Sequence, residues 1–156
     1  MTALIEPGQG VGIIRLGMDR EAIVATCGHP TQERGDDRVR LLDFVGLTVG
    51  LLDDATNMIV VESVDAGVTS DGIRVGASWS VLIGKRGVPV YDEEAGAWED
   101  VGQPGIWYDL ARPLREDEKP RDQPFEGEYW EITDPGRAYV RGIYVMSSVA
   151  VEGAPR

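Results

Sequence analysis

The chain has 156 residues, 42% hydrophobic and 27% charged, with a formal net charge of −12 and a pI near 4.4. A chain of this length buries roughly 70% of its unfolded surface, so one domain, or two small units sharing a core, needs no disulfide or metal staple. The acidity repels nucleic-acid phosphates and anionic lipid head groups, which excludes those partners and favours a basic one.

The first residues, Met1-Thr2-Ala3-Leu4-Ile5-Glu6, show neither a basic nor an apolar leader region, and no apolar run reaches membrane-spanning length. The cytoplasm is the expected compartment. Gly8-Gln9-Gly10-Val11-Gly12 reads as a flexible entry turn. A phosphate-binding loop would need a strand before it and a helix directly after it.

Self-similarity follows. Ile14-Arg15-Leu16-Gly17 recurs as Ile73-Arg74-Val75-Gly76, and Gly28-His29-Pro30 recurs as Gly87-Val88-Pro89. Both recurrences have the same offset, 59 positions, without gaps. Between them Asp19 and Ser78 predict helix N-caps, because a short side-chain oxygen accepts an orphan backbone N–H. Ile23 and Val24, or Val81, Leu82 and Ile83, supply an inward face. Gly28 and Gly87 end each helix, and Pro30 and Pro89 forbid continuation.

After each helix the pattern shifts toward strand. The first unit has candidates at 39–44, 47–52 and 58–64; the second has them at 98–101, 106–110, 125–132 and 139–146. Residues 111–124 are charged, hold three prolines and lack apolar periodicity, which predicts an exposed insertion. The expected fold is therefore α+β. Two related helix-plus-antiparallel-meander units, 1–70 and 71–150, form one sheet layer with helices on one face, and 151–156 is a tail.

The segment Gly12-Ile13-Ile14-Arg15-Leu16-Gly17-Met18-Asp19-Arg20-Glu21-Ala22-Ile23-Val24, closing in Gly28-His29-Pro30, resembles the "I-x-L-G-M-[ST]-x-x-x-V … G-x-P" opening of the SmpA/OmlA (BamE-like) family. The tandem arrangement is similar to that of the β-lactamase-inhibitory-protein-like group. The resemblance implies repeated helix-to-sheet units whose open sheet face grips a protein. It implies an inhibitor or an assembly factor, not an enzyme.

The residues offer little for catalysis. His29 is the sole histidine and sits in a helix-terminating turn, while Cys27 lies on the apolar side of the first helix, where a small buried core residue is expected. No spacing supports a Ser/His/Asp or Cys/His arrangement. Asp36-Asp37 and Asp53-Asp54 lack calcium-loop spacing and read as turn residues. No catalytic residue, metal site or cofactor is assigned.

Positions 91 to 134 carry fourteen acidic and four basic residues, and seven of the eleven aromatics. Alternation in 106–110 puts Ile106, Tyr108 and Leu110 on one face and Trp107 and Asp109 on the other. Aromatic anchors beside carboxylates suit protein recognition, so Trp107, Asp109, Glu126, Glu128, Trp130 and Glu131 are the expected partner-binding residues. The functional expectation is a non-enzymatic inhibitor or immunity-type protein neutralising a basic partner such as a nuclease toxin. The alternatives are a BamE-like scaffold or assembly factor, and an enzyme or small-ligand binder using a carboxylate pair.

Overall fold

The computed structural model describes residues 2–111 and 138–147. Helix α1 (Arg20–Cys27) starts at Asp19, whose carboxylate accepts from the Ala22 N–H at 2.8 Å, and ends at Gly28 with φ 84°. Helix α2 (Trp79–Arg86) starts at Ser78, whose hydroxyl accepts from the Val81 N–H at 3.3 Å, and ends at Gly87 with φ 78°. Both caps satisfy orphan N–H groups of the first turn, and both terminal glycines hold a φ that a Cβ would oppose.

Twelve strands are present among the described residues. A small sheet holds β1 (Leu4–Glu6), β2 (Gly10–Val11), β3 (Ile14–Arg15) and β8 (Val68–Thr69), in the order β3-β2-β1-β8. The large sheet starts with β4 (Gln32–Gly35), β5 (Val39–Phe44), β6 (Leu47–Leu52) and β7 (Ala55–Val61). It is completed by β9 (Val90–Asp92), β10 (Ala97–Glu99), β11 (Ile106–Ala111) and β12 (Tyr139–Met146). Its eight-strand order is β4-β5-β6-β7-β12-β11-β10-β9, antiparallel throughout.

This architecture corrects the expected α+β class. Among the described residues the protein is mostly β, with 44% strand, 13% helix and only two helices. The layer facing the large sheet is not purely helical. Ile5, Val11 and Ile14 of the small sheet share one buried cluster with Ile23 and Leu82 of the helices and with Leu42, Val49, Ile59 and Ile143 of the large sheet. Strands β1, β2, β3, β4, β8 and β9 are two to four residues long, and too short for an alternation to register. The expected strand at 125–132 and most of the expected insertion lie outside the described residues.

The two halves of the large sheet match in detail. The Gly17 N–H donates to the Thr56 carbonyl at 2.8 Å, and the Thr56 N–H donates to the Met18 carbonyl at 2.8 Å. In the second half the Gly76 N–H donates to the Val140 carbonyl at 2.7 Å, and the Val140 N–H donates to the Ala77 carbonyl at 2.9 Å. The β6–β7 pairing slips register between Gly50 and Leu51, and the β11–β12 pairing slips between Asp109 and Leu110. The skipped residues, Asn57 and Arg141, form bulges at corresponding places, where extra twist re-aims the side chains nearby.

Candidate functional site

One face of the large sheet is core. Leu42, Val49, Ile59, Val145 and Ile106 lie along it in cross-strand register and are fully buried. Strand pleating puts the residues between them on the opposite face. There the register aligns Asp43, Thr48, Val60, Tyr144, Trp107 and Glu99 across six strands. A groove of about 390 Å³ runs over this second face, lined by Leu41, Met58, Val60 and Tyr144 and by the polar residues Arg34, Thr48, Glu62, Asp109 and Arg141. The four apolar lining side chains are half-buried.

Each end of the groove holds an ion pair. Arg34 donates to Asp43 through Nε at 2.8 Å and through a terminal nitrogen at 2.7 Å, a bidentate fork. The Arg34 guanidinium holds the Asp43 carboxyl below the usual carboxylate range, against the opposing effect of burial. Arg141 donates to the Asp109 carboxylate through Nε at 2.7 Å. Asp109 is 7% exposed, so this pair is largely withdrawn from water. The matching residues of the first half, Gly50 and Asn57, carry no charge.

Between the pairs lies Gly142, directly opposite Asp109. A Cβ there would approach the Asp109 Cβ to 3.5 Å, so the missing side chain leaves a bare floor in the groove. On the far side of that floor is Glu62, exposed and immediately beyond the end of β7. Thr48 donates its hydroxyl to Glu62 and also lies 3.1 Å from Asp43. A hydroxyl has one proton, and Asp43 is already held by Arg34.

The sequence-predicted binding residues divide accordingly. Trp107 lies outside the core cluster that holds Ile106, Tyr108 and Leu110, so alternation assigned its face correctly. The ring is nevertheless only 1% exposed, which corrects the expectation of an open anchor. Its cross-strand neighbours are Tyr144 and Glu99. Asp109 lines the groove. Glu126, Glu128, Trp130 and Glu131 lie outside the described residues. Sequence reasoning missed Arg34, Thr48, Glu62 and Arg141. The usable signal was parity: Thr48, Val60 and Glu62 alternate with the apolar core residues of β6 and β7.

Among the described residues, two other depressions bear on the expected residues. One, about 530 Å³, is lined by Ile13, Cys27, His29, Phe44, Val45 and neighbouring residues. Cys27 is half-buried there, not fully buried as expected, and burial raises its thiol pKa. The other, about 340 Å³, is lined by Arg20, Arg38, Arg40 and three carboxylates. Among the described residues no group of three potential ligands could hold a metal ion, and no helix is long and apolar enough to cross a membrane.

No family model matches the chain, and no curated protein matches it. Among solved structures it is similar to the uncharacterized protein yfeY from Escherichia coli. The TM-score is 0.60 at 19% identity, over 94% of this chain and 99% of that chain. This likeness is one of fold. An extracellular protein containing a SCP domain from Bacillus anthracis str. Ames gives a TM-score of 0.49 at 11% identity, over 87% of this chain and 45% of that chain. Neither protein is described as a SmpA/OmlA member.

Proposed function

We propose that this protein is a non-enzymatic protein-binding module, an inhibitor or immunity-type protein that grips a basic partner with the sheet face opposite its helices. The observation carrying this reading is the groove over the central strands. It combines half-buried Leu41, Met58, Val60 and Tyr144 with charged side chains at its rim. Apolar area ringed by polar groups is the composition of a non-obligate protein interface. The polar groups are mostly committed to one another, Arg34 to Asp43 and Arg141 to Asp109, which suits a preformed surface better than a reacting centre. The net charge of −12 attracts a basic partner and accelerates its approach. The SmpA/OmlA resemblance is consistent with such a role. A lone unpaired thiol, Cys27, suits a reducing compartment such as the cytoplasm.

Site-specific photo-crosslinking in the source cell tests this. A photoreactive side chain at Val60 should capture one basic protein, and the same group at Ser80, on the exposed side of α2, should not. Adding the purified protein should then suppress the captured partner's activity at a one-to-one ratio. Equal capture from both positions, or none from Val60, would remove the sheet face from consideration.

A further inference from the structure

Among the described residues the groove carries one carboxylate more than its ion pairs use. Arg34 is spent on Asp43, and Arg141 on Asp109. Glu62 has no cationic partner among the described residues, and its carboxylate receives only the Thr48 hydroxyl. It stands beside a floor kept open by Gly142, with half-buried Val60 and Tyr144 next to it.

We infer that Glu62 is the receptor for a lysine or arginine side chain that a partner protein lays into this groove. The aliphatic stem of such a side chain fits over the Gly142 floor against Val60 and Tyr144, because long cationic side chains pack their methylenes on apolar surface and keep the charge at the rim. The charged head then meets the Glu62 carboxylate, which Thr48 orients from the other side. Tyr144 adds an aromatic ring, and rings attract cations at close range. A second copy of this chain is a poor occupant, since two molecules of net charge −12 repel. An acidic peptide would meet Glu62 unfavourably.

This inference rests on the sheet-face reading of function and adds the chemistry of the guest. The test uses the full-length protein with a fluorescent decalysine peptide, and an uncharged glycine–serine decapeptide as control. In NMR titration, decalysine should shift the amides of Thr48, Val60, Glu62, Gly142 and Tyr144, and the control peptide should not. Glu62→Gln should weaken decalysine binding by about fivefold, in line with loss of one exposed ion pair. Glu93→Gln removes the same charge from an exposed turn at the far edge of the sheet and should leave binding within twofold. Equal weakening by both variants would reduce the effect to net charge and overturn the inference. So would shifts confined to acidic residues away from the groove. If Val60 crosslinks a partner whose affinity is indifferent to Glu62→Gln, the sheet face stands and the cationic guest fails. If Val60 crosslinks nothing and decalysine maps elsewhere, both fail.

Discussion

Tyr108 donates a 2.6 Å hydrogen bond to Asp100, which also accepts from the backbone N–H groups of Gly102 at 2.9 Å and Gln103 at 3.1 Å. Both side chains are buried. Burial first, and the Asp100 carboxylate second, push the Tyr108 hydroxyl well above its ordinary value of 10.0. A raised folded-state value means stability that is complete below about pH 10 and declines above it, because the unfolded chain then releases a proton that the folded chain keeps. Tyr108→Phe should cost about 1.5–3 kcal/mol at pH 8, the loss of a hydrogen bond to a charged group. It should also flatten the decline of stability between pH 9.5 and 11 in denaturant melts; a variant as pH-sensitive as the parent would clear Tyr108 of the role. The same strand shows how far alternation reaches at single residues. The pattern of 106–110 assigned Trp107 to the correct face, yet the ring is buried. Period two encodes which side of a sheet a residue takes, but not what lies over that side.

At the scale of elements, legibility followed local chemistry. Both helices were readable because Asp19, Ser78, Gly28 and Gly87 act through their own side chains or lack of one, within a few residues. Asp19→Ala and Ser78→Ala should each lower stability by about 1 kcal/mol, the usual cost of an N-cap. Chemical denaturation checks this, and a loss at only one of them would show that the two helices are anchored differently. Strands β5, β6 and β12 fell where their six- to eight-residue apolar patterns placed them. The short strands were unreadable because two to four residues are too few to show an alternation, and one of their pairings is distant, Leu4 and Ile5 running parallel with Val68 and Thr69. The β11–β12 bulge was also invisible, and with it the Asp109–Arg141 pair. Arg141→Met should destabilise by about 2 kcal/mol, since it takes the guanidinium from a largely buried carboxylate. Adding Asp109→Asn should restore most of that loss; a double variant no better than Arg141→Met would show that Arg141 acts through packing.

For the whole molecule, charge governs the acid limit. Glu6 is held below its ordinary value by Arg15, Glu33 by Arg20, Asp36 by the Val39 N–H and Asp43 by Arg34. Each lowered value contributes stability that is present above the unfolded carboxylate range, about pH 4, and is lost as pH falls through the folded value. The melting temperature should fall steeply below pH 4, and less steeply in Asp43→Asn; parallel curves would remove Asp43 from the account. The strand order has a consequence in time. Strands β5, β6 and β7 are joined by tight turns and can zip early. The seam between β7 and β12 joins Val61 to Ile143 and Met58 to Met146, more than eighty positions apart. Closing so long a loop costs entropy before any contact repays it, so this seam should form after the rate-limiting step. Ile143→Val should then mainly speed unfolding, while Val49→Ala, inside the early meander, should mainly slow refolding. Stopped-flow chevrons separate the two, and a refolding rate that drops equally for both would place the seam inside the folding nucleus.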